Sequence, residues 1–119
     1  MKKILIAEDS STEREIMKKA LEAEGFTVVA VADGDAALEE VKKSEYDVII
    51  LDVIMPGKNG YQVCREIKRD ELLKDTPVII VTSKGQESDK FWGKRQGADE
   101  YIVKPFNVDL LISTVKRFL

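Results

Sequence analysis

Short apolar runs recur along the chain, and each is followed by a longer stretch in which apolar residues return every three or four positions. The runs are Lys3–Ala7, Thr27–Ala32, Asp47–Leu51, Pro77–Thr82 and Glu100–Val103, and their length and β-branched content predict strands. The second, third and fourth runs contain the continuous apolar segments Val28–Val31, Val48–Leu51 and Val78–Val81. A strand that is apolar at every position, not alternate ones, has both faces covered, as in a parallel sheet.

The stretches between the runs predict helices with readable ends. Thr12 and Glu15 form a capping-box pair, with Ile16, Met17, Ala20 and Leu21 on one face and Gly25 suited to the left-handed position beyond the helix. Asp33 caps a second helix that turns Ala37, Leu38 and Val41 inward. Asn59 caps a third, with Tyr61 or Val63, Cys64 and Ile67 inward. Ser88 or Asp89 starts a fourth, which ends before Gly97; its spacing turns one of Phe91 and Trp92 inward and the other outward. Asn107 caps a fifth, with Leu110, Leu111, Val115 and Phe118 inward.

Strict alternation of strand and helix with short connections predicts an α/β fold with right-handed crossovers. Five such units make a flavodoxin-like doubly wound (βα)5 architecture: a five-stranded parallel sheet of order 2-1-3-4-5 with helices on both faces. An eight-fold barrel would need about 250 residues, against the 119 present. The whole chain, residues 1–119, reads as one domain.

Composition narrows the class. Hydrophobic residues make up 44% and charged residues 34%, a globular balance with no run long enough to span a bilayer. Glu8 and Asp9 interrupt the first apolar run, so the start reads as a strand at a native amino terminus and not as a signal peptide. The net charge of −3 carries no basic excess of the kind that nucleic-acid binding requires. One cysteine, Cys64, precludes an intramolecular disulfide and falls on an apolar helical stripe; a cytoplasmic setting is expected. The absence of histidine removes His triads, His metal sites and a self-carried phosphohistidine.

In open α/β sheets, ligands bind beyond the carboxyl ends of the strands. There stand Glu8 and Asp9 after the first strand, Asp52 after the third, Thr82 and Ser83 at the fourth, and Lys104 with Pro105 after the fifth. Clustered carboxylates repel one another, and a hard divalent cation such as Mg²⁺, or Mn²⁺ in its place, relieves that repulsion. An aspartate beside such a cation can act as a nucleophile toward phosphorus. A lysine and a threonine hydroxyl opposite it can neutralise and donate to phosphoryl oxygens. Each residue alone is ordinary at a strand end; the combination at four strand ends is not.

Glu8-Asp9-Ser10 after Ile4–Ala7, the segment Asp47–Gly60 with Leu51-Asp52, Met55-Pro56-Gly57 and Gly60, the Thr82-Ser83 strand end, and Tyr101–Phe106 with Lys104-Pro105 together resemble the receiver domains of two-component response regulators. The resemblance covers the whole chain. It implies that Asp52 is the phospho-acceptor, charged by a separate histidine kinase. It further implies that Asp9, Asp52 and the backbone carbonyl of Ile54 hold Mg²⁺, with Glu8 acting through a metal-bound water. Thr82 and Tyr101 would form the switch, Lys104 would contact the phosphoryl group, and the Lys104–Pro105 bond would be cis. The surface of the fourth helix, fifth strand and fifth helix, Glu87 to Leu119, would bind a downstream protein. The chain would act as a monomer, phosphorylation-dependent dimerisation remaining open, without contact to membrane or nucleic acid. Asp89–Gly97 resembles receivers of chemotaxis-like systems, including those governing type IV pilus motility.

One departure concerns Ile54, two residues beyond Asp52, and Lys84, two beyond Thr82. Ile54 offers no side chain that could place a water, so slow loss of the phosphoryl group is expected. The same residue argues against an aspartyl-phosphate phosphohydrolase, which needs an acid there. Glu8 and Asp9 argue against a flavin-phosphate site after the first strand.

Overall fold

The computed structural model describes residues 1–119. Its elements alternate throughout: β1 (Lys3–Ala7), α1 (Ser11–Ala23), β2 (Thr27–Val31), α2 (Gly34–Lys43), β3 (Val48–Leu51), α3 (Gly60–Arg69), β4 (Val78–Thr82), α4 (Glu87–Arg95), β5 (Glu100–Val103) and α5 (Val108–Arg117). All five strands lie within one residue of their expected bounds. They form one parallel sheet of order β2-β1-β3-β4-β5, in agreement with the doubly wound expectation.

Side chains on successive strand residues point to opposite faces, and the core divides accordingly. Leu5, Ala7, Ile49, Leu51, Val78 and Ile80 pack with Ala37, Leu38 and Val41 of α2 and Val63, Cys64 and Ile67 of α3. On the other face Ile4, Ile6, Val48, Ile50, Ile79 and Val81 pack with Met17 and Leu21 of α1 and Leu111 and Val115 of α5. The central strands β1, β3 and β4 are the ones covered on both faces. Register aligns Ala7 with Leu51 and Leu51 with Ile80, so β1, β3 and β4 end side by side and their following residues emerge along one edge. No helix is long and apolar enough to cross a membrane.

Asp33, Asn59 and Asn107 cap their helices as expected, and Gly25 takes φ +91° beyond α1. The start of α1 differs. Its cap is Ser10, whose Oγ accepts from the Glu13 amide at 3.3 Å, and the expected Thr12–Glu15 box does not form. Ile16, expected inward, is 46% exposed, while Met17 and Leu21 face the sheet.

α4 also begins before Ser88, capped at Gln86, whose amide donates to Asp89 Oδ2 at 3.1 Å. Neither aromatic of α4 turns inward: Phe91 and Trp92 are both exposed. The inward position belongs to Gly93, where a Cβ would lie 2.7 Å from Cε2 of Tyr101. The Tyr101 ring fills the space that an α4 side chain would otherwise occupy. In α5, Leu111 and Val115 are buried and Phe118 is half-buried, while Leu110 lies on the outer side.

The α3 N-terminus passes against the end of β3. A Cβ on Gly60 would stand 2.1 Å from the Asp52 carbonyl oxygen, a backbone atom with no freedom to withdraw. Gly60→Ala should therefore destabilise the fold by about 1–3 kcal/mol, the range for overpacking. Urea denaturation of the variant against the unsubstituted protein checks this.

Candidate functional site

Four strand ends supply the polar groups expected there, and one ammonium gathers three carboxylates. Lys104 Nζ donates to Glu8 Oε1 at 2.6 Å, to Asp52 Oδ2 at 2.7 Å and to Glu13 Oε2 at 2.5 Å. Glu8 and Asp52 are buried and Glu13 is half-buried. Carboxylate oxygens of these three residues all lie within 4.8 Å of one another. Asp9, the other acid of the β1–α1 loop, is exposed and its side chain lies outside this cluster.

The loop is held by its own chain. The Arg14 guanidinium donates to the Glu8 carbonyl at 2.8 Å and the Asp9 carbonyl at 3.4 Å, and the Ser10 amide donates to Glu8 Oε2 at 3.1 Å. Glu8 thus serves the Ser10 amide, which in a complete capping box would be served by Glu13. That leaves the Glu13 side chain free to reach Lys104. Glu13 is the site residue that the sequence reading missed. Its signal was present in Ser10 and Glu13, a capping pair that overlaps the Thr12–Glu15 pair.

The charges divide unequally. Burial pushes Glu8 up to about 7, with the nearby Asp52 charge adding to the rise, against hydrogen bonds from Lys104 and the Ser10 amide. Burial acts on Asp52 in the same sense. There, hydrogen bonds from Lys104 and the Ile54 amide, the latter at 3.1 Å, outweigh it and hold the carboxyl below its usual range. Burial pulls Lys104 down, but its bonds to Asp52, Glu13 and Glu8 hold it above the ordinary lysine range. At neutral pH the ionised pair at the centre is Asp52 with Lys104, and Glu8 is the carboxyl that shares in a proton.

Thr82 is fully buried at the end of β4, and its hydroxyl oxygen has no hydrogen-bond partner of standard geometry. A buried hydroxyl left unpaired costs stability, of order 1–3 kcal/mol, so the position suits a ligand atom that is bonded only when present. Beyond it, the Tyr101 hydroxyl donates to the Lys84 carbonyl at 2.7 Å and lies 3.0 Å from the Tyr61 hydroxyl, which reaches the Asp89 carbonyl at 3.1 Å. These bonds tie β5, α3 and the β4–α4 connection together. Lys84 itself points to Asp89, 3.7 Å away, and Ile54 presents an exposed side chain beside Asp52. The Lys104–Pro105 bond is cis.

This constellation on a 2-1-3-4-5 sheet matches a known family: the response regulator receiver domain profile fits residues 4–116. The chain belongs to the response regulator receiver family. Its function is accordingly that of a receiver in two-component signalling. The receiver is 40% identical to the protein PilH of Pseudomonas aeruginosa, over all of this chain and 98% of that protein. It is 38% identical to the transcriptional regulatory protein ResD of Bacillus subtilis, of which it spans about half the length (48%), covering 98% of this chain. Among solved structures, the chemotaxis response regulator CheY4 of Vibrio cholerae superposes with a TM-score of 0.93 at 35% identity, covering 100% of this receiver and 99% of that chain. The receiver domain of a Pseudomonas aeruginosa sensor histidine kinase, solved with magnesium in its active-site cleft, superposes with a TM-score of 0.91 at 29% identity, covering 98% of this receiver and 96% of that chain.

The raised Glu8 carboxyl has a consequence for stability. Its folded-state value of about 7 lies above the 4.5 of an unperturbed glutamate, so the folded receiver holds this proton more tightly than the unfolded chain. The contribution is full below 4.5 and is lost as pH rises toward 7. Asp52 acts oppositely, but only as pH falls below its ordinary 3.8. In metal-free buffer, unfolding free energy should fall between these two glutamate values in the unsubstituted receiver, and this component of the slope should vanish in Glu8→Gln. Denaturation curves at several pH values for both proteins measure it.

Proposed function

We propose that residues 1–119 form one receiver domain that accepts a phosphoryl group on Asp52 and thereby changes the surface formed by α4, β5 and α5. The observation that carries this reading is the Asp52 carboxylate itself: buried, kept ionised by Lys104, and placed beside the unpaired Thr82 hydroxyl. An ionised oxygen is a nucleophile, and burial strips it of the water that would blunt it.

In the proposed reaction an Asp52 carboxylate oxygen attacks phosphorus. The bond from phosphorus to the kinase's histidine nitrogen breaks, and its electron pair leaves with the imidazole. Lys104, which already lies against Asp52, then donates to a phosphoryl oxygen, and Thr82 donates its idle hydroxyl to another. The residues suited to hold Mg²⁺ are Glu8, Asp9, Asp52 and the Ile54 carbonyl. Of these, Glu8 and Asp52 already share with Glu13 a compact oxygen cluster around one cation, the Lys104 ammonium, which fits a hard ion of this kind; the exposed Asp9 side chain would turn in from the adjoining loop. The chemistry Mg²⁺ supplies when bound is neutralisation of the carboxylates and of the incoming phosphoryl charge.

Movement of Thr82 toward the phosphoryl group would alter the space next to Tyr101, whose hydroxyl bonds reach α3 and the start of α4. The phosphoryl group thus biases an equilibrium between two surfaces. The face that changes carries a groove between α4, β5 and α5 lined by Lys90, Lys94, Phe106, Leu110 and Arg117. Phe91 and Trp92 stand exposed on α4. Exposed aromatics next to cationic side chains suit a protein partner.

Incubation with acetyl phosphate and Mg²⁺ should add about 80 Da, the mass of one phosphoryl group, and Asp52→Asn should abolish the adduct. An unmodified wild-type mass after such treatment excludes the reading. Because Ile54 places no water, Ile54→Asn or Ile54→Glu should shorten the phosphoryl lifetime by roughly ten-fold, less than the ~10²–10⁴-fold of a fully positioned general base. Decay of the radiolabelled adduct follows this directly.

A further inference from the structure

A lysine ammonium has three N–H donors, and in this receiver Glu8, Glu13 and Asp52 take all of them. Lys104 therefore cannot reach a phosphoryl oxygen without giving up a partner. The three partners are not equally bound to it. The Glu8 and Asp52 side chains are 1% and 6% exposed, whereas that of Glu13 is 38% exposed. A buried carboxylate that loses its cation is left without water, at high cost; a half-exposed one is rehydrated at little cost. Glu13 is also the one partner carried on a helix surface instead of a strand end, in the first turn of α1, where the helix N-terminus favours its charge even without Lys104.

We propose that Glu13 is a competing counter-ion, a positioning residue that occupies Lys104 in the resting receiver and must release it before the lysine can neutralise a phosphoryl group. The inference rests on the reading of Asp52 as phospho-acceptor. Glu13 acts twice in the same direction. It holds the lysine away from the incoming group, and after release its negative charge remains within a few ångströms of the phosphoryl oxygens. Both effects raise the barrier to loading, so the residue sets how readily the receiver is phosphorylated.

Glu13→Gln keeps the shape and removes the charge. Glu13→Asp keeps the charge at the start of α1 but shortens the side chain by one methylene, which opens the contact with Lys104. With acetyl phosphate, an Asp52 oxygen attacks phosphorus, the bridging P–O bond breaks and acetate leaves with the electron pair. At saturating Mg²⁺, Glu13→Gln should load roughly three- to ten-fold faster than wild type, the scale of one partly screened charge, and Glu13→Asp should fall between them. Beryllofluoride, which mimics the phosphoryl group without a transfer step, should bind tighter to Glu13→Gln by a similar factor, as read by ¹⁹F NMR titration. Thermal unfolding verifies that each variant is folded.

An adduct on wild type with Glu13→Gln loading at the same rate or slower overturns the inference and leaves the phospho-acceptor reading intact. Wild-type behaviour of Glu13→Asp also overturns it, because it reduces Glu13 to a helix-terminus charge. No adduct on any of the proteins removes both.

Discussion

The ammonium of Lys104 among three carboxylates is the contact on which the edge of this sheet depends. Glu8 and Asp52 are both buried at the ends of adjacent strands, and two buried carboxylates side by side cannot both ionise without a cation. The lysine that supplies it comes from the far side of the sheet. β4 stands between β3 and β5, so Lys104 must extend past the end of β4, where Thr82 lies. Its backbone is fixed there by the bond from its amide to the Thr82 carbonyl at 2.8 Å. One side chain therefore joins the ends of β1, β3 and β5 and the first turn of α1, and it can do so only because the strand order is 2-1-3-4-5.

A second network, also polar and largely buried, stands behind the first. Tyr61 and Tyr101 have two hydroxyl protons between them, yet three contacts call for one: the Lys84 carbonyl, the Asp89 carbonyl and the contact between the two hydroxyls. Only two can be satisfied at a time. Gly93 lets the Tyr101 ring lie close against α4, so the position of that ring and the seat of that helix are mutually dependent. A packed ring with an under-supplied hydroxyl pair is a suitable element for two arrangements of similar energy, because moving it exchanges hydrogen bonds without simply losing them.

The strands were legible because burial on both faces leaves continuous apolar runs, as at Val48–Leu51 and Val78–Val81. Asp52, Glu8, Thr82 and Lys104 were legible because strand ends in an open sheet share an edge. Glu13 was not, since its place depends on whether α1 starts at Ser10 or Thr12, and both start signals are present within three residues. The choice turned on a tertiary fact, that Glu8 already serves the Ser10 amide. The α4 aromatics were misread for a related reason. Helical periodicity says that adjacent residues diverge, but not that a glycine can hold the inward position because a tyrosine from another element fills the space.

Charge arithmetic unites these features. Three carboxylates facing one ammonium leave an excess of negative charge, and the resting site disposes of it in two ways: Glu8 is pushed toward holding a proton, and Glu13 is kept near water. Both are the residues added around the central Asp52–Lys104 pair, and both are arrangements that a divalent cation would make unnecessary. The same excess would oppose a phosphoryl group, which brings further negative charge to the same few ångströms. Of the two buried carboxyls, Glu8 is the one pushed toward holding a proton, while Asp52 beside Lys104 is held below its usual range.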